Sequence, residues 1–338
     1  VLAAFVVSAF VANAAGPALA QPKPPVPADV AGFVLADHPS TPSYDPTVSY
    51  NTIGAPNPIT RVGVGEYQVV FDGIGKPGGN AQVTSFGPTA SICELSLFVP
   101  NSDGEFVAVT CYDSGGNAAD AMFEASFMNR QTPLSGQLAY VWANQPLRHS
   151  YIPPLDHQFN SAGGDIRVTH IGPGKFVLLV PHVDGTAGTV KVTAFHTGSD
   201  FCRTTNWIES STTPTARVRL KCFTSGGAPD DAQFTAAYSN QGDVLGTGLA
   251  NGYAWSDHLA PAQGVVFNPA LARQYDSAGG TVTEVRTGVG VYDVTFPNLA
   301  STNGIAHVTA YHLVNECQAL NMAVSGADEV VTVGCFAA

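Results

Sequence analysis

Apolar and polar residues alternate along this chain in short runs, and the runs return in the same order three times. Tyr67, Val69 and Phe71 lie two apart in the first copy, Phe176, Leu178 and Val180 in the second, and Tyr292, Val294 and Phe296 in the third. A period of two places the large side chains of each run on one face of a strand. Before each run stands a G-x-G: Gly63 and Gly65, Gly172 and Gly174, Gly288 and Gly290. A phosphate loop of this kind needs a helix start behind it, whereas here a strand pattern follows. The glycines therefore predict tight hairpin turns with positive φ. Each hairpin is followed by an arm, carrying Val83 and Ser85, Val190 and Val192, or Val308 and Ala310. Each copy opens on a pair of large residues two apart: Phe33 and Leu35, Tyr140 and Trp142, Tyr253 and Trp255.

Equivalent positions are 176 − 67 = 109 and 292 − 176 = 116 residues apart. That is the size of a β-sandwich, and more than twice the roughly 40–45 residues of a propeller blade. All six cysteines fall into the pattern, two per copy: Cys93 with Cys111, Cys202 with Cys222, and Cys317 with Cys335. Copies that fold alike must each use their own two, so the repeat selects one of about fifteen pairings. The thiols lack the close C-x-x-C or Cys/His spacing of a metal or redox site. The predicted fold is all-β: three tandem β-sandwich-like modules, each with an intramodule disulfide. The boundaries read 1–20 signal peptide, 21–31 Pro-rich linker, 32–136, 137–248 and 249–338. The short connections predict an end-to-end rod or a compact row.

Two modules finish on a segment that begins with aspartate, Asp120 in DAMFEASFM and Asp231 in DAQFTAAYS. Such an aspartate is expected to accept backbone N–H bonds at a strand start. The third module has no copy of this segment: either the sequence stops short of its last strand, or something else fills the missing edge. An unpaired edge there invites strand addition.

Composition narrows the function. Charged residues are 12% of the chain, with 35 Gly and 24 Pro, as suits short strands and tight turns. The net charge of −12 repels a phosphate backbone, so no nucleic-acid partner is expected. The first twenty residues are uncharged and end Ala18-Leu19-Ala20, a cleavage signature that implies secretion. No later apolar run is long enough to span a bilayer.

Candidate chemistry is sparse. Neither G-x-S-x-G nor H-E-x-x-H occurs. Asp37-His38 and Asp257-His258 occupy matching places, but the middle module has Asn144-Gln145 there. They are kept as ligand-binding candidates beside a simple turn role. His196 and His312 also match, and His170 and His182, on two arms of one hairpin, are candidate neighbours. Asp230-Asp231 and the run Asn101-Ser102-Asp103-Gly104 fall short of a calcium loop. Trp142 and Trp255 are expected in the core. Trp207, between the two cysteines of the second module, is the better candidate for an exposed aromatic that stacks on sugar. No metal and no cofactor is implied.

The framework G-x-G-x-Y-x-V-x-F, V-x-V-T-A-F/Y, Cys, then V-x-C-F with a later D-x-x-F resembles the tandem repeats of uncharacterised exported proteins from soil bacteria. The resemblance covers about residues 33–338 and implies secretion and repetition, with no activity to carry across. The expectation is a secreted non-catalytic repeat protein of the extracellular space or cell envelope, with glycan or cell-surface protein as partner. A secreted hydrolase with a site unique to one module, and a structural spacer or assembly protein, are the alternatives.

Overall fold

The computed structural model describes residues 27–130, 136–183, 188–195, 198–210, 214–243, 245, 248–256, 261–311 and 315–337. It is an all-β protein whose three repeats follow one strand order, less complete in the third, and the signal-peptide expectation lies outside the described residues. Each repeat begins with an opening strand, Val30–Ala36, Gln137–Ala143 or Gly252–Ala254. The first of these starts inside the expected linker, because Val30 and Ala31 are buried at 1% and 2% exposure. A hairpin follows: Ile59–Gly63 with Glu66–Asp72, Arg167–Gly172 with Lys175–Pro181, and Thr283–Gly288 with Val291–Phe296. Gly65, Gly174 and Gly290 sit in the turns at φ of 69°, 61° and 69°. A Cβ at any of them would strike the carbonyl of Cys111, Cys222 or Cys335. That carbon is excluded because the same glycine accepts the N–H of that cysteine across 2.7, 2.9 and 2.8 Å. Turn and disulfide strand are thus locked together three times over.

Next come the arm, Asn80–Phe86 or Gly188–Phe195, and a long bulged strand, Ser91–Pro100, Asp200–Ser210 or Asn315–Ser325. The disulfides join Cys93–Cys111, Cys202–Cys222 and Cys317–Cys335, directly opposed on neighbouring strands with Cα atoms 4.1, 4.0 and 4.1 Å apart. A closing strand, Met122–Asn129 or Gln233–Asn240, then inserts between the arm and the opening strand of its own repeat. Among the described residues repeat 3 has no closing strand, and its arm, residues 305–310, joins no sheet.

The repeats are not strung end to end. At the bulge of each long strand, one residue pairs in parallel with the end of the next repeat's arm: Leu95 with Phe195, Thr204 with Tyr311, and Ala319 with Phe86. The register shifts fall at Leu95/Leu97, Thr204/Asn206 and Ala319/Asn321, the same place each time. Repeat 1 therefore meets repeat 2, repeat 2 meets repeat 3, and repeat 3 returns to repeat 1. Sheets merge across two of these seams. One nine-stranded sheet runs from repeat 3 into repeat 1, and another from repeat 1 into repeat 2. A short linker permits a row or a ring; the bulge selects the ring, because it frees an edge residue to pair sideways.

Inside the ring the arms present backbone edges that no ladder covers, and threonines cover them. The Thr193 hydroxyl accepts the Val83 N–H at 3.0 Å and lies 3.0 Å from the Val83 carbonyl. Thr84 donates to the Val308 carbonyl at 2.9 Å and accepts its N–H at 3.4 Å. Thr309 accepts the Val192 N–H at 3.3 Å. Each threonine reaches from one repeat to the valine of another, and the three contacts close a cycle. Replacing Thr193 by Val leaves a buried N–H without an acceptor, which costs about 1–3 kcal/mol. Denaturant unfolding should show that loss for T193V and a smaller one for T193S, which keeps the hydroxyl.

Candidate functional site

The aspartates that open the closing strands are placed by the hairpins rather than by their own turn. Asp120 Oδ1 accepts the Gly65 N–H and the Arg61 Nε–H, each at 2.9 Å, and lies 3.2 Å from the Tyr67 hydroxyl. The Arg61 bond holds the Asp120 carboxyl below its usual range. Asp231 accepts the Gly174 N–H at 2.6 Å and meets His170 Nε2 at 2.9 Å. The backbone N–H expected from sequence is there, but it comes from the remote G-x-G turn. His170 is turned to Asp231 near the hairpin turn, while the His182 ring lies beside Gly164 beyond the other end of the hairpin, so the two rings are not neighbours.

His38 is exposed, with its Nε2 4.0 Å from Asp37 Oδ1 and its N–H on the Tyr44 hydroxyl at 3.2 Å. The Gln145 N–H makes the same bond to Tyr151 at 3.1 Å. The Asp-His and Asn-Gln pairs thus share one backbone turn. Asp257, His258, His196 and His312 lie outside the described residues.

Trp207 does not stand free. It is half-buried against Trp255 and Tyr311, with ring centroids 4.7 and 5.5 Å away, and Arg273 sits 4.1 Å over Trp255. The matching seam between repeats 1 and 2 holds Trp142, Phe98 and Phe195 at 4.9–5.8 Å, with His157 4.4 Å from Trp142. The tryptophans expected in module cores and the one expected on the surface therefore all lie between repeats. Alternation within one strand reports which face a residue takes, and the neighbouring repeat covers that face.

Sequence reasoning passed over the residue just after each first cysteine. Glu94, Arg203 and Gln318 occupy this one position and are 0%, 2% and 2% exposed. Gln318 donates to the Gly87 and Thr89 carbonyls and accepts the Ser91 N–H, which clamps repeat 3 on repeat 1. Glu94 lies beside Asp200 of repeat 2, and Arg203 faces Glu316 of repeat 3 while lying 4.5 Å over Phe223. Each of the three thus reaches the next repeat. The signal was a polar residue in an otherwise alternating strand, repeated as Glu, Arg and Gln. On one sequence it reads as a variable surface position.

Elsewhere the interior is tight. The two best-formed cavities among the described residues have volumes of about 10 and 30 Å³. The larger is ringed by Val83, Val192 and Val308 and by Cys93, Cys202 and Cys317. It has room for a water, whereas a ligand cleft holds roughly 300 Å³ or more. No three His, Cys, Asp or Glu side chains gather as a metal site among the described residues. No helix there is long and apolar enough to cross a membrane. No family model, curated protein or solved structure matches the chain.

Burial raises Glu94 to about 9 and Glu105, Glu124 and Glu316 to about 8, and it raises Glu209 too. Burial lowers Lys191 to about 8 and takes His307 well below the usual range of imidazole. A raised carboxyl contributes stability that is full below its unfolded value and lost as pH rises through the folded one. The lowered Lys191 acts the other way above about pH 8, and His307 acts the other way below about 6.5. Between those limits the carboxyls act alone. The melting temperature should therefore rise when the pH is taken from 8.0 to 6.5; a fall over this interval contradicts the assignment.

Proposed function

We propose that this chain is an exported, non-catalytic β protein of the extracellular space or cell envelope, built of three two-sheet, sandwich-like repeats that recognise glycan or protein. One observation carries this reading: the recurring polar residues are consumed by the fold. Asp120 and Asp231 hold hairpin turns, the threonines join repeats, and Glu94, Arg203 and Gln318 reach across the seams. A hydrolase needs a nucleophile or paired carboxylates that converge on open space, and the two best-formed cavities among the described residues are water-sized. The three disulfides suit an oxidising compartment.

A recognition surface is favoured by the hairpin tips. Val62, Val64, Ile171 and Val289 are 52%, 56%, 54% and 91% exposed, and together they place apolar groups at the tips of all three hairpins. Repetition of a weak apolar contact raises avidity when the sites engage together. The protein from Gln21 onward should bind a subset of a glycan array or a cell-surface extract. V64D, I171D and V289D combined should lower that binding at least tenfold without loss of folding. Turnover of esterase, glycosidase or peptidase substrates, abolished by one substitution, contradicts the reading.

A further inference from the structure

Repeat 2 keeps one sheet to itself. Its strands lie in the order Ser150–Tyr151, Arg167–Gly172, Lys175–Pro181, Thr215–Thr224 and Asp200–Ser210. Alternation sends Val168, Phe176, Leu178, Val218 and Leu220 into the core. It sends Arg167, Lys175, Arg217, Arg219 and Lys221 to the opposite face. The first four of these are exposed and Lys221 is half-buried. Lys175 stands directly across from Lys221. Arg217, Arg219 and Lys221 form a row along one strand, each about 7 Å from the next.

These are five of the 14 Lys and Arg in a chain whose net charge is −12. Among the described residues none of the five meets a carboxylate, and Arg167 reaches only the Ser150 hydroxyl, at 3.4 Å. The acidic residues of these strands are turned elsewhere. Asp200 is buried beside Glu94, and Glu209 accepts the Tyr238 hydroxyl at 2.6 Å. Like charges directly opposed across a sheet are destabilising, so the fold gains nothing from this arrangement. The other repeats do without it. In the same register repeat 1 has Glu66, Phe106, Ala108 and Thr110 in place of Lys175, Arg217, Arg219 and Lys221, and repeat 3 has Val291, Val330, Thr332 and Gly334.

We propose that this face of repeat 2 binds a linear polysaccharide that carries carboxylate or sulfate groups. The site rests on the recognition reading above and gives it a ligand class and a place. Arginine forks take oxyanions two oxygens at a time. The straight row from Arg217 to Lys221 matches an extended chain with repeating charge. At physiological salt, charges more than about 8 Å apart are largely screened. A narrow chain laid on the row therefore meets the cations and little else. A nucleic-acid duplex or an anionic bilayer is wider, and presses its charge on the acidic remainder of the surface as well. Single-stranded nucleic acid is held by free aromatic rings, and the aromatic in line with this row, Phe223, is buried under Arg203.

The test is calorimetric titration of the full chain with octasaccharides of galacturonate, heparin and dextran. Saturable binding of the galacturonate or the heparin chain is expected, weakening as salt is raised, with dextran inert. R217Q/R219Q should lower the affinity at least tenfold at an unchanged melting temperature, whereas K76Q, which removes a charge elsewhere, should leave it as it was. K175E puts a carboxylate opposite Lys221. It should weaken binding while the melting temperature stays equal or rises; a fall in melting temperature assigns Lys175 to the fold and contradicts the proposal. No binding of either acidic chain at about 1 mM, equal binding of dextran, or an affinity untouched by R217Q/R219Q overturns it. So does tighter binding of an oligo(dT) strand or of phosphatidylserine vesicles. Neutral glycans or proteins bound equally by R217Q/R219Q would remove this site and leave recognition standing, whereas a chain that binds nothing on an array or in an extract would remove both.

Discussion

A backbone edge facing the inside of a ring has no neighbour at ladder distance. That constraint governs this molecule. Each repeat must bring its arm against the other two, and each arm leaves a valine N–H and carbonyl pointing inward. A single hydroxyl both donates and accepts, so a threonine from another repeat answers both groups. Thr193 serves Val83 and Thr84 serves Val308, while Thr309 takes the Val192 N–H. A strand of the ladder type would need about 4.8 Å of lateral space; a side chain does the work in less and lets three arms converge.

The seams share this frame and differ in chemistry. Between repeats 1 and 2 and between 2 and 3, aromatic groups fill the contact, centred on Trp142 and on Trp207 with Trp255. Between repeats 3 and 1 the Gln318 side chain makes three hydrogen bonds instead, beside a Gly87 N–H to Ala319 bond of 2.8 Å. The residue after the first cysteine is acidic, basic and neutral in turn. Glu94, raised by burial and by the nearby Asp200, and Arg203, which faces Glu316, thus meet different neighbours. The three repeats are alike in backbone and distinct at their joints.

Local structure was legible in the sequence because it depends on period and spacing alone. Alternation at Tyr67, Val69 and Phe71 gave the strand, the G-x-G gave the turn, and like cysteines in like repeats gave the disulfides. The closing aspartate was legible in kind but not in partner, since Gly65 lies far from Asp120 in the chain. The ring was hidden. Leu95, Thr204 and Ala319 share no letter, because what matters at the bulge is a free edge of backbone and not a side chain. The recurring Val-Thr of the arms was visible as a repeat, but nothing in one strand says that its threonine crosses to another module. Trp207 misled for a related reason: a residue in a loop between cysteines reads as exposed until a neighbouring repeat supplies Trp255 and Tyr311.

Amide hydrogen exchange at Val83, Val192 and Val308 tests the threonine ring most directly. These three N–H groups belong to no ladder within the account; each is held only by a hydroxyl from another repeat. All three should exchange as slowly as the disulfide strands and become fast together when the protein unfolds. Rapid exchange at any of them in the folded protein, at the rate of an open loop, would contradict it.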